Sequence, residues 1–225
     1  MGNRRIARRL PPLPLWRALG AVAICLSLAW PAHAAPTELA RTLVQSTTER
    51  LLARLKSERA KIDTNADHAY RIVDETVMPE ADMETISRLV LAKHWRTATA
   101  KQRQDFRTAF RTLLTRTYAA ALVDQRSVSI RYLGESMSRS GRYVLVKTQI
   151  ERAGGKRLGV TYRLLNGPNG PKLVDTIVEG VSLVATYRSS FNGQISEHGM
   201  SGLIDLIHAK TKPGRGATMQ TAARN

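Results

Sequence analysis

VSIRYLGESMSRSGRYVLVKTQIERAGGKRLGVTYRLLNGPNGPKLVDTIV, residues 128–178, is the stretch in which the chain changes its period. Val128, Ile130 and Tyr132 alternate with Ser129 and Arg131, and Val144, Val146, Thr148 and Ile150 alternate along the next run. Leu158, Val160, Tyr162 and Leu164 then face away from Arg157, Thr161 and Arg163. A period of two with one apolar side predicts strands buried on one face. Ser138–Gly141, Gly154-Gly155 and Gly167-Pro168-Asn169-Gly170-Pro171 punctuate the runs as turns, and Leu173–Val178 supplies the last strand. Short turns between neighbouring runs make a four-stranded antiparallel meander.

On both sides of this stretch the period is helical. Upstream, Leu39, Leu43, Thr47, Leu51, Leu55 and Ile62 form one apolar stripe. Asn65 is placed to cap a second helix carrying Tyr70, Val73 and Val77, which ends before Pro79. Asp82 is placed to cap a third, with Met83, Ile86, Leu89 and Val90 on one side. Thr99 and Gln102 have capping-box spacing and open a fourth, whose apolar face is Phe106, Phe110, Leu113, Leu114, Tyr118 and Leu122. Downstream, Val184, Tyr187, Phe191 and Ile195 share a face, Gly199 sits at a C-terminal cap, and Ser201 opens a short last helix with Leu203, Ile204 and Ile207. The fold class expected is α+β, with a helical layer packed on a four-stranded antiparallel meander sheet. Such an arrangement either fills its core or encloses an apolar cavity, and periodicity does not separate the two.

The N-terminus reads differently. Met1–Arg17 holds five arginines and no acid, Ala18–Trp30 is an apolar run of thirteen, and Ala32-His33-Ala34 has small residues flanking its centre. This is the pattern of a cleavable signal peptide, and the run is short of the ~20 residues a membrane helix needs. The expected organisation is a signal peptide over 1–34, one domain over 35–210 and a disordered tail over 211–225. Cleavage removes the only cysteine, Cys25, and with it disulfides, thiol catalysis and cysteine-ligated metal. It also removes five of the 35 basic residues and none of the 18 acidic ones, which leaves a net charge of +12.

Catalytic patterns are sparse. His68, His94, His198 and His208 show no metal-ligand spacing. Gly134–Ser138 only half resembles a nucleophile elbow, and Gly167–Lys172 joins two strands without the phosphate-loop pattern. Asp175 and Glu179 are the best paired carboxylates, with bonding to nearby backbone or arginine favoured over catalysis. Arg188 is placed either to meet a phosphate at a pocket mouth or to pair with Glu179, the second being favoured. The basic residues are scattered along helix faces among only ten aromatics in the chain after cleavage, so no nucleic-acid partner is expected. Solvated helix faces account for most of the charge, and anionic lipid surfaces or acidic partners are a further use for it.

Two stretches go beyond fold class: Leu89–Leu122, with A-T-x-x-Q-R-x-x-F at Ala98–Phe106, and Val174–Phe191, with Glu179-Gly180-Val181-Ser182-Leu183 ahead of Y-R-x-x-F. With the leader and the helix–meander–helix order, they resemble the MlaC family, the toluene-tolerance type periplasmic phospholipid-binding component of the Mla lipid transport system. The resemblance spans about Thr37–Lys210. It implies a non-enzymatic periplasmic carrier, without cofactor, whose transported ligand is a glycerophospholipid. Acyl chains lie between helices and sheet, and the head group stays outside. The implied partners are an outer-membrane lipoprotein–porin complex and the ring subunit of an inner-membrane ABC transporter, with the carrier itself a monomer. Lipid asymmetry of the outer membrane is the implied purpose. The family tends to place Gly where this chain has Ala92 and an aromatic where it has Ala81. Its last strand tends to carry Trp and Tyr where this chain has Pro171 and Val174, which implies a changed pocket with more room at that end.

A carrier of this kind must sheath two ~16-carbon chains, whose exposure costs about 25 kcal/mol at ~0.8 kcal/mol per methylene. The pocket expected is at or above the upper end of the usual ~300–1,000 Å3. Candidate lipid-binding residues are Val144, Val146, Val160 and Tyr162 from the sheet, and Val73, Val77, Leu89, Phe110, Leu114, Val184, Tyr187 and Phe191 from the helices. Each taken alone also fits a filled core. Two other classes stand beside the carrier: an enzyme on a related cone-shaped α+β scaffold with Asp175 or Glu179 as a buried base, and a cationic binding protein.

Overall fold

The computed structural model describes residues 35–123, 128–152, 154–155 and 157–212. The expected signal peptide over 1–34 and the tail from 213 onward lie outside the described residues, as does the surface of Leu122. Thr211, expected in the tail, is instead buried at the end of the last helix.

The expected first helix is two. Helix α1 spans Pro36–Ser57 and α2 spans Arg59–Thr64, with the chain bending at Glu58. Glu58 binds Arg54 and His68 there, and these bonds, Arg54 foremost, hold its carboxyl below the usual carboxylate range. The buried stripe of α1 is Ala40, Val44, Thr47 and Leu51, while Leu39 is 44% exposed. The first two turns thus bury Ala40 and Val44 in place of Leu39 and Leu43, while Thr47 and Leu51 are buried as the stripe expects.

Helix α3 covers Asp67–Thr76 and begins under an Asn65 side chain that accepts from the Asp67 N–H at 3.0 Å. A 3-10 turn at Met78–Glu80 absorbs Pro79. Helix α4, Met83–Leu91, is capped by Asp82, whose carboxylate accepts from the Thr85 N–H at 2.9 Å. A short α5, Lys93–Thr97, follows, and α6 runs over Ala100–Val123. The capping box at its start forms in both directions: Gln102 N–H to Thr99 Oγ1 at 3.1 Å, and Thr99 N–H to Gln102 Oε1 at 3.0 Å.

The strands are β1 Val128–Met137, β2 Tyr143–Arg152, β3 Arg157–Gly167, β4 Gly170–Val178 and a two-residue β5, Val181–Ser182. They pair antiparallel in sequence order. The expected meander is present, extended by β5, which is too short to leave a periodic signal. Val144, Val146, Thr148 and Ile150 lie opposite Leu164, Tyr162, Val160 and Leu158, so the apolar alternation is in register across β2 and β3. A bulge at Leu133, next to Gly134 with φ 131°, shifts the register and leaves Leu133 56% exposed.

Helix α7, Leu183–Thr211, breaks at Gly199 (φ 70°, ψ 178°), the position expected to cap it. Its face of Val184, Tyr187, Phe191 and Ile195 packs into the main core, formed with α3, α4 and α6. A second, smaller cluster of Ala40, Val44, Val144, Val146 and Leu164 sits where α1 crosses the sheet.

Ala92, between α4 and α5, has φ 48° and ψ −112°, a backbone region that suits glycine and costs other residues about 1–3 kcal/mol. Ala92→Gly relieves that strain but loosens the unfolded chain by somewhat less. The variant is expected to be more stable by about 1 kcal/mol, read as a higher urea midpoint with an unchanged slope; an equal or lower midpoint would contradict the strain.

Candidate functional site

Between the sheet and the helical layer lies a cavity of about 440 Å3. One wall is the inner face of the sheet: Val128, Ile130, Ile150, Leu158, Val160, Tyr162, Leu164, Leu173, Val174, Thr176 and Val178. The other is Val73, Val77, Met83, Ile86, Val90, Phe110, Leu114, Tyr118 and Ala121 from the helical layer, with Leu183, Val184 and Tyr187 from α7. Helix α1 closes one side with Leu43, Val44, Thr47, Thr48, Leu51 and Leu52. The lining is most exposed where α6 leads into β1 and β4 into α7: Ala121 is exposed, and Val128, Leu158, Val178 and Leu183 are half-buried. At the other end Val73, Val90, Leu164 and Val174 are fully buried.

The wall is apolar with few polar interruptions. Its charged residues, among those described, are Glu80 and Asp175. Glu80 is held by Lys172 at 3.2 Å and Arg50 at 3.4 Å. Three tyrosine hydroxyls also line it. Tyr118 and Tyr187 stand side by side, and burial, the largest cause in each, pushes both hydroxyls above their usual range. Burial likewise pushes Tyr162 up to about 12. All three remain neutral donors at ordinary pH.

Eight of the expected residues lie on the cavity wall: Val73, Val77, Phe110, Leu114, Val160, Tyr162, Val184 and Tyr187. Four do not. Val144 and Val146 share the apolar face of β2, but α1 covers them with Ala40 and Val44. Phe191 is taken up in ring packing with Phe106, Phe110 and Tyr187, at centroid distances of 5.9, 5.5 and 5.4 Å. Leu89 packs on the main core, and its carbonyl accepts from Arg188 Nε at 2.8 Å. The wall contributed by α1 was not expected. Its stripe was visible as periodicity, but the sheet it would lie on was not. The volume also falls short of the size expected, because aromatic rings from α6 and α7 fill part of the gap.

Arg188 therefore neither pairs with Glu179 nor reaches the cavity wall. Glu179, at φ 49°, turns β4 into β5 and accepts from the Gly159 N–H, while its own N–H bonds the Gly159 carbonyl at 2.9 Å. Asp175 is buried, and its carboxylate accepts from Ser182 Oγ at 2.6 Å, the Val184 N–H at 3.1 Å and Arg163 at 3.1 Å. Those three donors occupy it as a structural joint between β4, β3 and the start of α7. The histidines stand apart: His68 binds Glu58 at 2.6 Å and His94 binds Asn192 at 2.9 Å. Among the described residues there is no cluster of metal-ligating side chains, and no helix is long and apolar enough to cross a membrane.

An α+β domain wrapped round an apolar cavity, with the one fully buried carboxylate among the described residues used as a joint, has the build of a ligand-binding protein. The chain belongs to the MlaC protein family, whose pattern matches residues 45–209. It is 23% identical over 165 residues to the intermembrane phospholipid transport system binding protein MlaC of Haemophilus influenzae, covering 72% of this chain and 77% of that one. It is 25% identical over 177 residues to the toluene tolerance protein ttg2D of Pseudomonas putida, covering 78% and 82%. Among solved structures it resembles a phospholipid-binding protein from Ralstonia solanacearum in complex with a phospholipid, with TM-score 0.70 and 27% identity, over 76% of this chain and 96% of that chain.

Removing Asp175 leaves the Arg163 guanidinium without its carboxylate and the first turn of α7 without two acceptors. Asp175→Ala is expected to cost about 2–4 kcal/mol in chemical denaturation, because the Ser182 hydroxyl and the Val184 N–H lose a charged acceptor. A loss below about 1 kcal/mol would mean the joint is dispensable.

Proposed function

We propose that this chain is a periplasmic phospholipid carrier. It is non-enzymatic and uses no cofactor. It shuttles glycerophospholipids between the outer and inner membranes and so maintains the lipid asymmetry of the outer membrane. Acyl chains occupy the cavity, against Val73, Val77, Phe110, Leu114, Val160, Tyr162, Val184 and Tyr187, and the head group remains in water. The carrier works as a monomer between an outer-membrane lipoprotein–porin complex and the ring subunit of an inner-membrane ABC transporter. Nucleic acid is not a partner.

The observation that carries this reading is the apolar wall of the cavity, in a chain whose family includes proteins named for phospholipid transport. A cavity of 440 Å3 accommodates only part of two long acyl chains. Loading therefore includes a widening between sheet and helices. The place for it is the seam between the two hydrophobic clusters, since the sheet meets the helices through α1 on one side and through β4 and β5 at α4 and α7 on the other.

Protein purified from the periplasm without detergent is expected to show phospholipid adducts by native mass spectrometry that vanish on denaturation. Leu114→Trp with Val160→Phe places bulk on opposite walls and is expected to reduce co-purified lipid at least fivefold with little change in thermal midpoint. A bare polypeptide mass in the wild type, with no lipid in the extract, would overturn the proposal.

A further inference from the structure

Two hydroxyls sit in the cavity at a depth that the acyl chains do not explain. Tyr118 lies on α6 three residues before the exposed Ala121. Tyr187 lies on α7 four residues after the half-buried Leu183. Each is therefore about one helical turn, some 5 Å, inside the more exposed end of the cavity. Both line the same cavity, Tyr118 from α6 and Tyr187 from α7. The rings are fixed by apolar packing: Tyr187 sits edge-on to Phe110 at 5.1 Å.

Donor arithmetic leaves the pair unfinished. Two hydroxyls carry two O–H donors, and even a bond between them would leave one free. The Thr117 hydroxyl, beside Tyr187, is buried and lacks a hydrogen bond of normal geometry, so it adds a further unmet group. Asp175 lines the same cavity, but Ser182, Val184 and Arg163 already occupy its carboxylate. A spare donor in an apolar wall asks for an acceptor from the ligand. No cation lines the cavity among the described residues, so a phosphate has no partner there. A neutral carbonyl does.

We propose that the Tyr118–Tyr187 hydroxyl pair is a recognition site for the acyl-ester carbonyls of the cargo lipid. It rests on the carrier reading and sharpens it: the ligand class is a diacyl ester, and the pair sets how deep the lipid sits. The head group stands outside the mouth, the ester linkages meet the hydroxyls, and the hydrocarbon runs on toward Val73, Val90 and Val174.

The test uses the full chain, purified from the periplasm and equilibrated with vesicles. The vesicles contain equal amounts of a diacyl phosphatidylglycerol and its dialkyl-ether counterpart of the same chain length. Protein-bound lipid is then counted by mass spectrometry. The wild type is expected to hold the ester form over the ether form by roughly three- to tenfold, the factor one net neutral hydrogen bond contributes. Tyr118→Phe with Tyr187→Phe keeps both rings and is expected to bring the ratio close to one while total bound lipid falls less. A ratio of one in the wild type, which depends on no variant folding, overturns the proposal, as does a preference that survives in the double variant. Uptake of neither lipid by the wild type overturns the carrier reading instead.

Discussion

The carboxylate of Asp175 determines how the last helix leaves the sheet, and the cavity depends on that departure. Its oxygens hold Ser182 and the Val184 N–H, so β4 is tied to the first turn of α7. Ser182 in turn caps the helix by accepting from the Ala185 N–H at 3.1 Å. Arg163 closes the joint from β3 and supplies the opposite charge. A negative group at a helix N-terminus is also where the helix dipole favours it. With the first turn fixed, Leu183, Val184 and Tyr187 must face back toward the sheet. The carboxylate that most resembled a catalytic base is thus the reason α7 contributes to the helical wall of the cavity.

The hollow persists because two hydrophobic clusters share one sheet. The main cluster joins α3, α4, α6 and α7, and touches the sheet through Val174. The smaller one joins α1 to β2 and β3. Between these anchor points the apolar residues of β1, β3 and β4 face helices across a gap instead of interdigitating with them. Interiors ordinarily pack at crystal-like density, and a gap forfeits the dispersion contacts on both sides. An apolar ligand restores those contacts, whereas water does not. The same gap explains why Tyr118, Tyr162 and Tyr187 stand out: each places a hydroxyl on a surface that is mostly hydrocarbon.

What was legible beforehand follows from which signals are local. Alternation along β2 and β3, the capping box at Thr99 and Gln102, and the Asp82 cap are short-range patterns, and each is present. Val160 and Tyr162 were separable from polar neighbours by period alone. Val144 and Val146 carry an identical signal yet lie under α1, because the angle at which that helix crosses the sheet is a tertiary property. For the same reason Leu43, Thr47 and Leu51 read as a stripe without revealing the cavity they border. Ala92 shows the converse. Its positive φ leaves no trace in composition or period, and only the family's preference for glycine at that place marked it as unusual.

The basic composition has a use beside the solvated helix faces. Several arginines bind between helices. Arg111 binds Asp74 at 2.7 Å across α6 and α3, and Arg54 binds Glu75 at 2.8 Å across α1 and α3. Arg103 donates to the Trp95 carbonyl at 2.9 Å and stacks on its ring, and Arg188 donates to the Leu89 carbonyl. Arg116 lies over the Tyr70 ring at 4.8 Å. Guanidinium suits this work because it bonds in a plane and stacks on rings at once, which lysine does not. Individually such partly exposed contacts contribute little. Collectively they fasten the outer surface of the helical layer, where they cannot intrude on the cavity. The layer is held from outside by polar contacts, and its inner face is left to hydrocarbon.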